Sequence, residues 1–213
     1  MTTPAPTMPE LDAFVEECTA VDATLAGVPT DAWVRPALGE WDLSQLVAHL
    51  VRGAGRVAVY LDEPAGGPPG VDRVTYWHYD ADLESPGVAR RAVEEAAKVD
   101  AETLPALFAE SWRSSAERAR ELAADHVLPT LRGAMRLDEY VATRVLEVVV
   151  HHADVRTVLD LPPVATPAAG RLVMQILEGL LGEPRPRAMG RARFIAAATG
   201  RTPSDDPRFP VLR

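Results

Sequence analysis

Two short stretches, almost a hundred residues apart, carry side chains able to bind a metal ion. The first is Trp41-Asp42-Leu43-Ser44-Gln45-Leu46-Val47-Ala48-His49-Leu50, an amphipathic run with His49 near its end. The second is Arg144-Val145-Leu146-Glu147-Val148-Val149-Val150-His151-His152-Ala153-Asp154. If both are helical, Glu147 and His151 lie one turn apart, one above the other on a single face. Two such ligands on one helix, with an imidazole on a facing helix, make a three-ligand divalent site inside a bundle.

The neighbours sharpen this reading. Apart from Glu147 itself, residues 146–150 are wholly apolar, so this helix is expected to be buried on most sides. An unpaired carboxylate there is costly. Glu147 therefore needs a cation, either a metal ion or an arginine such as Arg144 on its own helix. Asp154 is either a partner that orients His151 or half of a solvated salt bridge. His152 points about 100° away from His151 on an ideal helix and reads as structural or as part of the rim. Gly53 and Gly55 each weaken a helix by about 1 kcal/mol relative to alanine. They allow either close helix contact or room above a metal. Arg56, two turns beyond His49, can reach an anionic ligand, and with Arg52 and Arg144 it is a candidate for binding carboxylates. His78 and His126 lie near loops with no supporting pattern, and Cys18, on an apolar face, reads as a buried thiol without chemistry.

The elements that must position these residues read as helices. Apolar spacing predicts helices over about 10–25, 42–60, 101–124 and 137–159, with a shorter one over 86–98. Asp42 or Ser44 is the N-cap of the second. Gly27 to Gly39 reads as a connecting loop, Glu63 to Gly70 as a breaker, and Val127 to Met135 as an extended crossover. Leu161-Pro162-Pro163 ends the last principal helix, and two further helical patterns cover 167–181 and 187–199. The expectation is an all-α chain. A metal-binding four-helix bundle spans 10–162, and a short C-terminal helical extension over 163–213 packs on it. No internal repeat is evident. Residues 1–9 read as a frayed tail.

Composition narrows the function classes. With 22 basic and 31 acidic residues the net charge is −9, which disfavours nucleic-acid binding. No apolar run approaches the roughly 18 residues needed to span a membrane, and no signal peptide is visible. One cysteine in 213 residues excludes an intrachain disulfide and a cysteine-based metal site. A cytoplasmic location is the default expectation. Only one of the 22 basic residues is lysine, an arginine bias suggesting a GC-rich bacterial genome.

Taken together, Trp41 to Leu50 (W-x-x-x-x-x-x-A-H-L) and Arg144 to Asp154 (R-x-x-E-x-x-x-H-x-x-D) resemble the mycothiol-dependent maleylpyruvate isomerase family. That family belongs to the DinB/YfiT-like superfamily of metal-binding four-helix bundles. Phe194-Ile195-Ala196-Ala197-Ala198-Thr199-Gly200-Arg201 also resembles a segment common near the end of such chains. The resemblance implies His49, Glu147 and His151 as metal ligands and mycothiol as cosubstrate. Family members that isomerise maleylpyruvate have a larger C-terminal domain contributing to the substrate site, whereas only about 50 residues follow the last ligand helix here.

Two imidazoles and one carboxylate suit zinc and leave a position open. A small thiol bound there is deprotonated by the metal, and no protein nucleophile competes with it. The leading expectation is a thiol transferase or isomerase acting on a small electrophile, as a monomer or homodimer, without membrane or nucleic acid. Zinc-dependent hydrolysis is the rival enzyme reading, although no H-E-x-x-H is present. A non-catalytic ligand- or metal-binding bundle is the third.

Overall fold

The computed structural model describes residues 8–79 and 81–212, without the side chains of 81–86. The tail expected over residues 1–9 lies almost entirely outside them. The described residues form α1 (Pro9–Leu25), α2 (Leu43–Tyr60), α3 (Ala81–Ala96), α4 (Leu104–Arg120), α5 (Leu137–Val158), α6 (Pro167–Leu181) and α7 (Arg191–Ala198). Short strands β1 (Pro36–Leu38) and β2 (Trp41–Asp42) pair antiparallel, as do β3 (Val127–Leu128) and β4 (Met135–Arg136). No described helix is long and apolar enough to cross a membrane.

Helices α1, α2, α4 and α5 make the expected all-α bundle. α2 and α1 each pack against both α4 and α5, closing a ring of four. Phe14, Cys18 and Val21 of α1 meet Leu46, Leu50 and Val57 of α2, Phe108 of α4, and Val141, Val145 and Val148 of α5 in one buried cluster. α3 lies on α2, α6 on α5 and α1, and α7 on α6. Because α6 covers the side of α5 that a bare four-helix bundle leaves in water, α5 is enclosed almost all round. That enclosure explains its unbroken apolar run.

Helix starts follow local chemistry. The Asp42 carboxylate accepts the Gln45 N–H at 3.0 Å, and the Gln45 side chain accepts the Asp42 N–H at 3.1 Å. This reciprocal cap, worth about 1 kcal/mol, fixes the start of α2 six residues before His49. α6 stops at Gly182, whose φ of 77° suits a residue without a side chain.

The structure corrects several expectations in detail. The segment 27–39 contains a 3₁₀ turn and strand β1, and 127–135 is a hairpin rather than a single crossover. The long helix expected over 101–124 is a 3₁₀ turn at Ala101–Thr103 followed by α4, which ends at Arg120. α3 begins at Ala81 instead of Pro86, and α7 begins at Arg191 instead of 187. The order helix, hairpin, helix also occurs twice, as α1-β1-β2-α2 and α4-β3-β4-α5. Sequence self-similarity did not reveal this repeat. In each copy the second strand runs directly into the helix that carries the candidate ligands.

Candidate metal centre

α2 and α5 pack side by side and bring His49, Glu147 and His151 together. One donor atom from each lies within 4.8 Å of the others, the one such cluster among the described residues. Glu147 Oε2 is 3.4 Å from His49 Nε2 and 3.6 Å from His151 Nε2. The imidazoles meet edge to face at 4.9 Å, and the Trp41 ring lies 5.2 Å from that of His49. Three donors converging from two rigid helices fit a divalent ion, and imidazole with carboxylate suits zinc.

The second Glu147 oxygen has a different neighbour. Oε1 faces Arg144 Nη2 at 3.8 Å. Of the two cations weighed from the sequence, the arginine stands at Oε1, and the two imidazoles that could share a metal ion stand at Oε2. Burial raises the Glu147 pKa, but Arg144 first, then His49 and His151, outweigh it and hold the carboxyl well below the usual range. The group is therefore ionised and ready to ligate.

Asp154 is buried and makes both contacts weighed for it, a hydrogen bond with His151 and a salt bridge, here with Arg201. Its Oδ2 lies 3.0 Å from His151 Nδ1. Burial alone raises the Asp154 pKa, but the bonds from His151 and Arg201 bring it down to about 2. An ionised carboxylate only accepts hydrogen bonds, so Nδ1 carries the proton and the Nε2 lone pair faces the cluster. Burial pushes the His151 pKa down, the Asp154 contact opposes it, and the net shift is downward. The ring is neutral at neutral pH, as a metal ligand must be.

Arg201 grips Asp154 in turn, with Nε on Oδ1 at 3.1 Å and Nη2 on Oδ2 at 2.8 Å, while Nη1 bonds the Thr199 carbonyl at 2.7 Å. Sequence reasoning used Arg201 only as part of the terminal resemblance and missed this role. Its ionic partner is 47 residues away in the chain, so no local spacing could have signalled it.

The other sequence candidates lie beside the cluster. Arg52 pairs with Glu95 of α3 at 2.8 Å. Arg56 sits over the Tyr60 ring at 5.4 Å. Arg144 is buried against the rings of Tyr140 at 4.9 Å and Tyr76 at 5.5 Å, and donates from Nε to Thr143 at 3.1 Å. His78 and His126 are exposed and outside the cluster. Cys18 is fully buried, and burial, followed by Glu17 and Asp22, raises its thiol pKa well above the ordinary value.

Two cavities adjoin the cluster. The outer one, about 920 Å³, has His49, Glu147 and His151 in its wall beside Trp41, Trp77 and Val150. Thr199, Arg201 and Pro210 of the C-terminal extension close part of it. The inner one, about 110 Å³, is shared by His49 and Glu147 with Arg56, Arg144 and four tyrosines, Tyr60, Tyr76, Tyr79 and Tyr140. Of the two roles foreseen for the glycines, room beside the cluster fits Gly53. Gly53 lines the inner cavity, and a methyl there would meet nothing within 4 Å. Gly55 faces α4, where a methyl would make ordinary contact with Ser111 at 3.5 Å.

Comparison with known proteins agrees with this architecture. Residues 14–156 match the family model described as mycothiol maleylpyruvate isomerase N-terminal domain. A solved mycothiol-dependent maleylpyruvate isomerase superposes with a TM-score of 0.58 at 18% identity, over 85% of this chain and 72% of that one. A histidine-to-alanine mutant described in the same terms gives 0.59 at 19%, with the same coverage. At those identities the likeness establishes the fold. No curated protein matches the chain significantly.

Proposed function

Given that the chain belongs to the mycothiol maleylpyruvate isomerase N-terminal domain family, we propose a divalent-metal-dependent enzyme that joins mycothiol to a small electrophile, either transiently, as in an isomerase, or permanently, as in a transferase. The observation that carries this reading is the convergence of His49, Glu147 and His151 within 4.8 Å, on the wall of a cavity of about 920 Å³. The proposed ion is zinc and the proposed setting is the cytoplasm. When bound, such an ion supplies a Lewis acid that lowers the pKa of a coordinated thiol and keeps it as thiolate near neutral pH.

The chain's own residues do the rest. Glu147 stays charged because Arg144 and the two histidines offset its burial. Asp154 fixes the His151 proton on Nδ1 and leaves Nε2 free to donate its lone pair. Trp41, Trp77 and Val150 give the outer cavity an apolar wall that limits water around the reacting carbon. The thiol must come from a second substrate, because Cys18 is sealed in the core. Addition of the thiolate to an electron-poor C=C forms a C–S bond as the π bond opens to an enolate. Rotation about the resulting single bond and expulsion of the thiolate isomerise the substrate, whereas protonation of the enolate, or loss of halide from a haloarene, leaves the conjugate.

The test combines metal analysis with turnover. Protein purified without a metal-binding tag is offered mycothiol and either a haloarene or an unsaturated diacid. About one ion per chain and thiol-dependent turnover are expected. Full-rate turnover without any thiol overturns the thiol mechanism in favour of hydrolysis, and bound metal with neither turnover nor thiol binding leaves a non-catalytic bundle.

A further inference from the structure

We propose that a third cavity, between α5 and α7, is a second ligand site, separate from the outer cavity and its chemistry. Its occupant is a small apolar molecule with one negative charge, such as an aryl or branched aliphatic carboxylate. The site does not depend on the metal reading above.

The cavity holds about 230 Å³. Its apolar wall comes from Val149 and Ala153 of α5, Val164 and Ala165 of the connection to α6, and Ile195 and Ala196 of α7. Val164 remains 44% exposed and Ile195 is only half-buried, so the chain leaves apolar surface uncovered here. An apolar cavity of about 150 Å³ takes up benzene, so this one has room for a ring or a short branched chain. Val150, Thr199 and Arg201 line both this cavity and the outer one and form the partition between them. Asp154 lines this cavity and not the outer one.

Four polar side chains of the wall are already bonded. Asp154 is held by His151 and Arg201. Thr157 donates to the Ala153 carbonyl at 2.9 Å, and Thr199 to the Ile195 carbonyl at 2.7 Å. Arg201 spends its nitrogens on Asp154 and the Thr199 carbonyl. Water inside finds few partners, so an apolar body displaces it at little loss.

Arg191 is different. It lines the cavity but is exposed, and among the described residues no carboxylate or hydrogen bond holds it. Its guanidinium lies over Gly170 of α6, where a methyl would come within 3.2 Å of Nη1. Arg191 and Ala192 open α7, and Gly190 before them offers no capping side chain. The unpaired N–H groups of that first turn add partial charge of the same sign. Apolar walls beside an unpaired cation fit an apolar body with an anionic end.

The experiment titrates 4-fluorobenzoate, its neutral isostere 4-fluorobenzamide and acetate into the full chain, read by fluorine nuclear magnetic resonance and calorimetry. The benzoate should bind at least about thirtyfold more tightly than acetate, the scale of burying a few further carbons. It should bind about threefold more tightly than the benzamide, the scale of an exposed ion pair. Arg191→Gln should bring acid and amide to the same affinity. Ala192→Trp and Ala196→Phe, which fill the cavity, should each weaken both by at least about tenfold. Ala192 and Arg191 are exposed, so these variants fold normally, and thermal melts check that they do.

A carboxylate can also ligate a metal ion, so the same titrations are run on metal-free His49→Ala. Benzoate affinity there should match that of the wild type, whether or not the wild type carries a metal. No benzoate binding, binding that both filling variants leave unchanged, or binding lost with His49 overturns the site. Equal affinity of acid and amide in the wild type overturns the assigned charge.

Discussion

His152, the residue after His151, turns away from the candidate metal centre and places Nδ1 2.8 Å from Glu17 Oε1, with both side chains essentially sealed from water. Its Nε2 meets Thr24 Oγ1 at 2.9 Å, and the other Glu17 oxygen accepts the backbone N–H of Thr166 at 2.7 Å. One buried carboxylate thus links α1 and α5 to the start of α6. Adjacent histidines face different ways: His151 faces the cluster, and His152 pairs with Glu17, whose other oxygen ties the start of α6 to the bundle.

The first prediction concerns this link. Glu17→Ala strands a buried imidazole and a backbone donor, and removing one partner of a buried pair typically costs about 3 to 5 kcal/mol. For a chain of this size the melting temperature should fall by on the order of 10 °C. Metal stoichiometry should stay at the wild-type value, since none of the three donors is touched. Thermal melts alongside elemental analysis check this. A variant with wild-type stability shows that the contact contributes nothing net.

The second prediction is metal dependence. Elemental analysis should find about one divalent ion per chain, and His49→Ala or His151→Ala should lose most of it. Chelation should lower the melting temperature of the wild type, because an ion that binds only the folded chain stabilises it by mass action. The same chelator should leave His49→Ala unmoved. Undiminished metal in both histidine variants would falsify the assignment.

These positions were legible in the sequence because Glu147 and His151 share one turn of a long helix, where spacing alone determines which side chains meet. Their pairing with His49 rested on the motif order, and the α2–α5 contact puts the three in one place. The bundle was legible for a similar reason, since four apolar stripes of helical period need one another for burial. The hairpins before α2 and α5 were missed because strands of two or three residues leave no alternating pattern to read. Trp77 and Tyr76 were missed because they lie in a short 3₁₀ turn after a proline-glycine loop. Arg201 was missed because its partner is distant in the chain.

The third prediction separates orientation from ligation. Asp154→Asn leaves the three donors in place but removes the charge that fixes the His151 proton. Changes of this kind typically cost about 10- to 100-fold in metal affinity. Arg201→Ala should have a smaller effect in the same direction, because it acts only through Asp154. The double variant should be little worse than Asp154→Asn alone. Competition with a chelating dye measures all three affinities, and additive losses would mean that Arg201 acts by another route, such as the wall of the outer cavity.

The fourth prediction is that the attacking sulfur is never the protein's own. Cys18 is the only cysteine, it is fully buried in α1, and burial with two nearby carboxylates raises its thiol pKa. A protonated, enclosed thiol is a poor nucleophile. Cys18→Ser should therefore keep its thiol-dependent rate. It should lose some stability, because a hydroxyl placed in an apolar core without a partner costs about 1 to 3 kcal/mol. Cys18→Ala avoids that polar penalty and should keep both the rate and more of the stability. Turnover with mycothiol, measured against temperature for the two variants, distinguishes a catalytic role from a packing role. Loss of activity in both, at temperatures where both remain folded and metal-loaded, would place Cys18 in the chemistry after all.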